Sequence, residues 1–190
     1  MSDPRRNALS QLAGFLLALL ASAAPSLAEP AQNGERRIKL AVFDLELDDF
    51  SAGGPIAGES AEETARLKRM TELARRLLGE SGLFEIVDVS GANDPEVRAH
   101  WLRKCNGCEA KAALALGADM SFLGFFRKIS VMEQNLEFLV RDARTGEALN
   151  VSQTDLRNET DESWSRALRF LIKRGLVDPE LAKAAQRVER

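Results

Sequence analysis

The sequence predicts an α/β fold, a single compact domain whose mixed sheet of about five strands is flanked by helices in the order β-α-β-α-α-β-β-β-α. Three observations carry this. An almost unbroken apolar run from Ile38 to Leu47 has the length and character of a strand buried on both faces. Two stretches, from Ser60 to Leu78 and from Thr160 to Ile172, space their apolar residues at helical intervals. Leu136, Phe138 and Val140 alternate with Glu137, Leu139 and Arg141, and a Thr145-Gly146 turn then leads into another strand-like stretch, the pattern of a hairpin.

Taken in order, the chain begins with a stretch of different character. Residues 1–28 open on Arg5 and Arg6, continue through the apolar Leu12 to Ala24 and end on Ser26-Leu27-Ala28, which reads as a cleavable signal peptide. The apolar part falls short of the roughly 20 residues of a membrane-spanning helix, so no stable anchor is expected once it is removed. Glu29 follows, not a cysteine, which leaves no site for a terminal lipid. Residues 29–36 are expected to be a flexible lead-in and residues 37–190 the domain. The leader carries a net +1, so its loss moves the formal charge from −3 to −4. A mildly acidic domain has no general attraction for nucleic acid or anionic lipid.

Within the domain the first strand ends at Asp48-Asp49, and Phe50 to Gly58 is a loop by composition. Ser60 and Glu63 form a capping-box signature. The helix that follows puts Leu67, Met70, Ala74, Leu77 and Leu78 on one stripe and ends at Gly79 or Gly82. Leu83 to Val89 is the second strand. Asp94-Pro95 opens a helix that turns Val97, Trp101 and Leu102 inward. An alanine-rich helix starts near Cys108 and ends at Gly117, ahead of the third strand from Met120. In the fifth strand, from Ala148 to about Leu156, Asn150, Ser152 and Thr154 are interleaved, as in a strand wet on one side and free to pair at the sheet edge. Thr160 caps the last major helix, Gly175 stops it, and Asp178-Pro179 begins a short charged terminal helix.

Two groups of residues can carry chemistry. Cys105 and Cys108 lie at a helix start, where free amides stabilise a thiolate. In an oxidising compartment they are expected to join as a structural disulfide. The alternatives are a thiol–disulfide redox site, with Cys105 attacking and Cys108 resolving, and a metal set with His100, the single histidine, and Glu109. Glu109 after the second cysteine excludes c-type haem. Asp44, Glu46 and Asp48, spaced by two, would share one strand face, with Asp49 beside them, and either hold a hard cation such as calcium or face basic side chains. No phosphate loop follows Gly53-Gly54-Pro55, and no nucleophile elbow occurs, so catalysis is the less favoured reading and no cofactor is expected.

A resemblance adds to this. Lys39-Leu40-Ala41-Val42-Phe43, Leu116-Gly117-Ala118-Asp119 ahead of a strand, and the hairpin Arg141-Asp142-Ala143-Arg144-Thr145-Gly146-Glu147 resemble the small α/β domain of the N-terminal part of TolB, of CsgG and of the lipoprotein activators of penicillin-binding proteins. Phe43-Asp44-Leu45-Glu46-Leu47, Cys105-Asn106-Gly107-Cys108-Glu109-Ala110 and Asp161-Glu162-Ser163-Trp164 more closely resemble an exported bacterial family defined only as a domain of unknown function. The resemblance implies protein contacts in the cell envelope and brings no catalytic residues. The expectation is a soluble periplasmic accessory protein whose partner is another envelope or periplasmic protein.

Overall fold

The apolar run that begins at Ile38 does become the middle of a sheet, but as two strands. In the computed structural model, which describes residues 36–180 and 183, β1 (Ile38–Val42) and β2 (Glu46–Asp49) both run parallel to β4 (Met120–Lys128). The predicted leader and all of the lead-in except Arg36 lie outside the described residues. β3 (Phe84–Val87) pairs parallel with β1, while β5 (Gln134–Asp142) and β6 (Ala148–Leu156) add antiparallel strands on the other side of β4. The result is one mixed six-stranded sheet in the order β3-β1-β4-β5-β6, with β2 also on β4. The helices are α1 (Gly54–Ala57), α2 (Ala61–Glu80), α3 (Pro95–Arg98), α4 (Cys108–Ala115) and α5 (Asp161–Ile172).

The break between β1 and β2 corrects the expectation of a single strand from Ile38 to Leu47. Val42 stands opposite Phe122 and Glu46 opposite Phe125, so the edge of β4 advances one residue less than the chain facing it. That extra residue is a bulge, and it reverses the alternation of side chains. Leu40 and Val42 before it, and Leu45 and Leu47 after it, therefore enter the same core. α2 holds the bulge through side chains one turn apart. Thr71 Oγ1 accepts the Leu45 N–H at 2.9 Å, and Arg75 Nη2 donates to the Val42 carbonyl at 2.9 Å. Gly124 on β4 leaves room for Leu45, since a Cβ there would lie 3.2 Å from Leu45 Cγ.

The sheet buries both faces. Against one, α2 and α5 pack Leu67, Met70, Leu78, Leu168 and Leu171 with Leu136, Phe138 and Val140. Trp164 is fully buried there, stacked on Phe126 with centroids 3.7 Å apart, and its indole N–H donates to Gln134 Oε1. Against the other, the small side chains of Ala112 and Ala113 let α4 approach Ala41, Phe43 and Leu123.

The capping box at Ser60 and Glu63 and the Thr160 cap are both present. Three local expectations are corrected. The helix opened by Pro95 ends at Arg98, and Trp101 beyond it is 51% exposed rather than inward, while Leu102 is buried. Gly175 does not stop α5, because the chain continues through a π-helical turn, Lys173–Val177. The faces of β6 are also reversed: Val151 points outward, whereas Asn150 and Ser152 turn in toward that π turn. A π turn leaves carbonyls short of partners, and the Gly175 carbonyl accepts from Asn150 Nδ2 at 2.8 Å.

Candidate functional site

A broad cleft lies at the end of the sheet where β2 stops. It has a volume of about 820 Å³ and runs between β2, the start of α2 and the segment from Ala99 to Lys104. Leu45, Leu47 and Leu67 form its floor, and exposed Phe50 and Trp101 stand on its rim. Lys104 Nζ lies 4.1 Å from the Trp101 ring centroid, a cation–π contact.

The acidic residues picked out in the sequence are in this cleft, but they do not act as one group. The bulge turns Asp44 toward α2, where Arg75 Nη2 donates to it at 2.8 Å. Glu46 and Asp48 face the other way. Glu46, only 2% exposed, accepts from the backbone N–H groups of Leu102 and Arg103 and from Arg103 Nη1 at 2.8 Å, pinning the 3-10 turn Leu102–Lys104 to the sheet. Asp48 accepts from Arg103 Nε and Arg127 Nε, and Asp49 Oδ1 accepts the Ser51 N–H. Spacing by two put the three carboxylates on one face, and a bulge inside the spacing separates the first from the others. Each is matched by a guanidinium, so a cation would have to displace an arginine. Among the described residues no group of three or more His, Cys, Asp or Glu is arranged to hold a metal ion.

The sulfurs of Cys105 and Cys108 are in contact, with Cα atoms 5.8 Å apart. Cys105 Sγ accepts the Cys108 N–H at the start of α4, as a cap would. Gly107 has a φ of 94°, a left-handed conformation that suits glycine in this tight turn. Glu109, next in the chain, is fully buried and paired at 2.8 Å with Arg141 Nε from β5. Arg141 also donates to Asn106 Oδ1 and to the Gly146 carbonyl, so one guanidinium ties the cysteine loop to the β5–β6 hairpin. Asp142 closes that hairpin, and the N–H groups of Thr145 and Arg144 that it accepts hold its carboxyl below the usual range. His100 adopts a φ of 50° beside the cleft, and its ring makes no hydrogen bond among the described residues.

Sequence reasoning missed a buried ion network at this end of the fold. Lys128 Nζ lies 2.6 Å from Glu63 and 2.9 Å from Glu159. Arg66, 4% exposed, pairs with Glu62, Glu159 and Asp161 and lies over the Trp164 ring. Burial pushes the Glu63 carboxyl up, but hydrogen bonds from Lys128 and Ser60 outweigh it and hold the pKa at about 2. Burial pushes the Lys128 ammonium down, and its bonds to Glu159 and Glu63 more than reverse this, raising its pKa. Arg69 and Arg66 together lower the pKa of Asp161. Part of the signal is local, since Glu63 belongs to the Ser60 capping box and Asp161 stands next to the Thr160 cap, but only the packing of α2 beside α5 shows that the two helix starts share cations.

β6 is the antiparallel edge strand of the sheet among the described residues, with β3 at the opposite edge and β2 paired on one side only. It pairs regularly with β5 from Asn150 to Leu156 and is irregular only next to Ala148, at the hairpin end. Along it Leu149 is 43% and Val151 60% exposed. No helix among the described residues is long and apolar enough to cross a membrane.

The fold is thus a small α/β domain with a mixed open sheet, a charge-balanced cleft and one exposed antiparallel edge. Residues 38–176 match the DUF3280 family, described as "Protein of unknown function (DUF2380)", and the chain belongs to that family. A search of curated proteins finds none that matches. Among solved structures the chain is similar to Escherichia coli LpoB, with 14% identity over 83% of this chain and 84% of that one and a TM-score of 0.46. It is also similar to the lipoprotein GNA1162 of Neisseria meningitidis, with 11% identity, 80% and 96% coverage and a TM-score of 0.43. A third is TolB of Acinetobacter baumannii, with 14% identity over 75% of this chain and 29% of that one and a TM-score of 0.41. The family expected from the sequence is therefore found, and TolB, named in the wider resemblance, is among the similar structures.

Proposed function

We propose that the protein is an exported accessory protein of the bacterial cell envelope, acting in the periplasm by binding another protein along the free edge of β6. The observation that carries this reading is the inverted face pattern of that strand. Polar Asn150 and Ser152 are used inside the fold, while Leu149 and Val151 are left outside on a strand whose edge groups have no partner strand among the described residues. An open edge with exposed apolar side chains is a template for strand addition, in which main-chain bonds give affinity and alternate side chains give selectivity.

Export rests on the leader read in residues 1–28, and it makes a structural disulfide of Cys105 and Cys108, whose sulfurs already touch. The disulfide would fix the loop from which Asn106 and Glu109 reach Arg141, and through it the hairpin that begins β6. Cleft carboxylates already paired with arginines are poorly placed to act as free acids or bases.

A photo-crosslinking residue placed at Val151 in the exported protein tests the reading, with the same residue at exposed Arg76 on α2 as control. A protein adduct from position 151 and none from position 76 is expected. No adduct from 151 would remove the edge as the binding site. A chain found in the cytoplasm with residues 1–28 intact and free thiols would remove the export half.

A further inference from the structure

Where β2 ends, the two crossovers of the sheet part company. β1, β2, β3 and β4 run parallel, and β1 stands between β3 and β4. From β2 the chain returns to β3 through α2, packed on one face of the sheet, and from β3 it reaches β4 through α3, the 3-10 turn and α4, packed on the other. A crevice left in this way outside the carboxyl ends of the strands is where open α/β sheets hold ligands. The broad cleft occupies it. Its volume of about 820 Å³ falls within the roughly 300–1,000 Å³ of small-molecule sites, and buried Leu45, Leu47 and Leu67 give it the apolar floor such sites have.

The charges lining the cleft select what it takes. Its carboxylates are answered from within the fold: Asp44 by Arg75, Glu46 and Asp48 by Arg103, Asp49 by the Ser51 N–H with Lys128 3.8 Å away, and Glu59 by the Thr64 hydroxyl. Its lysines are not. Lys68 on α2 and Lys104 on the 3-10 turn line two different walls, both exposed, and neither ammonium has an ion pair or hydrogen bond among the described residues. Lys104 Nζ lies over the ring of Trp101, which sets an aromatic face beside one of the two unspent charges. We infer that the cleft binds a small organic acid, a single carboxylate on an apolar body, with the body on the leucine floor beside Trp101 and the carboxylate on the ammonium groups of Lys68 and Lys104. An acid gains charge-assisted bonds there without breaking any existing pair. An amine of the same shape would find only the exposed Glu59, or would have to displace an arginine. No residue of β6 lines the cleft, so the site is separate from the protein-binding edge.

The test is titration of phenylacetate into the protein, purified as it accumulates in the producing cell, followed by amide chemical shifts. Saturating shifts confined to residues 45–50, 64–68 and 99–104 are expected. Phenethylamine, which has the aromatic body with the opposite charge, and acetate, which has the charge without the body, should each bind about tenfold more weakly or worse. Lys68→Gln and Lys104→Gln, both at exposed positions, should each weaken phenylacetate binding roughly five- to tenfold, whereas Lys111→Gln, on α4 outside the cleft, should leave it unchanged. Shifts that do not saturate, shifts centred elsewhere, phenethylamine or acetate binding as tightly as phenylacetate, or Lys68 and Lys104 variants that bind like the wild type would overturn the proposal.

Discussion

Replacing Lys128 with methionine, which keeps the length of the side chain and removes its charge, reads out the ion network in one experiment. In the wild type Glu63 is held from an ordinary 4.5 down to about 2. A carboxyl with a depressed folded-state pKa stabilises the fold fully above its unfolded value and loses that contribution as pH falls through the folded one. That difference corresponds to about 3 kcal/mol, present above pH 4.5 and lost between there and pH 2. Lys128→Met leaves the buried Glu63 and the partly buried Glu159, which lie 2.6 Å and 2.9 Å from the lost ammonium, facing each other without it. Breaking a buried pair from one side costs about 3–5 kcal/mol, with Arg66 retaining part of the charge on Glu159. Urea unfolding between pH 7 and pH 2 checks this. The wild-type minus variant difference should be largest near neutrality and shrink on acidification, because protonation relieves the repulsion in the variant while removing the pair in the wild type. A difference under 1 kcal/mol at pH 7, or one that stays constant down to pH 2, would refute the reasoning.

Two further substitutions probe the bulge and the cysteine loop. Thr71→Val keeps the shape of the side chain but leaves the buried Leu45 N–H without an acceptor, so chemical denaturation should show a loss of about 1–3 kcal/mol. Arg141→Met strips the buried Glu109 carboxylate of its cation; a loss of about 3–5 kcal/mol is expected in the same assay, with faster amide exchange in residues 105–110 and 143–147.

How legible this fold was depends on whether a feature is local. The caps at Ser60 and Thr160, the stripe of α2 and the hairpin around Thr145-Gly146 are set by neighbours in sequence, and they stand where the residues put them. The bulge at Phe43–Leu45 is invisible in an apolar run, because it is defined only by the register of β4, more than seventy residues on. Missing it also misplaced Asp44 relative to Glu46 and Asp48. The polar residues of β6 were visible, but their direction was not, since what draws Asn150 inward is a carbonyl of a distant π turn. Trp101 followed helical spacing only on paper, because the helix from Pro95 ends before it. Individual carboxylates could be picked out as candidates, whereas their arginine partners come from α2, β4 and the turn after α3, which no short-range pattern links.

Amide hydrogen exchange along β6 tests the account most directly, comparing the protein alone with the protein recovered together with the partner crosslinked from position 151. Exchange in residues 150–156 should slow in the complex while β3, the opposite edge strand, is unchanged. Equal exchange in β6 in the two states, or protection appearing at β3 instead, would contradict it.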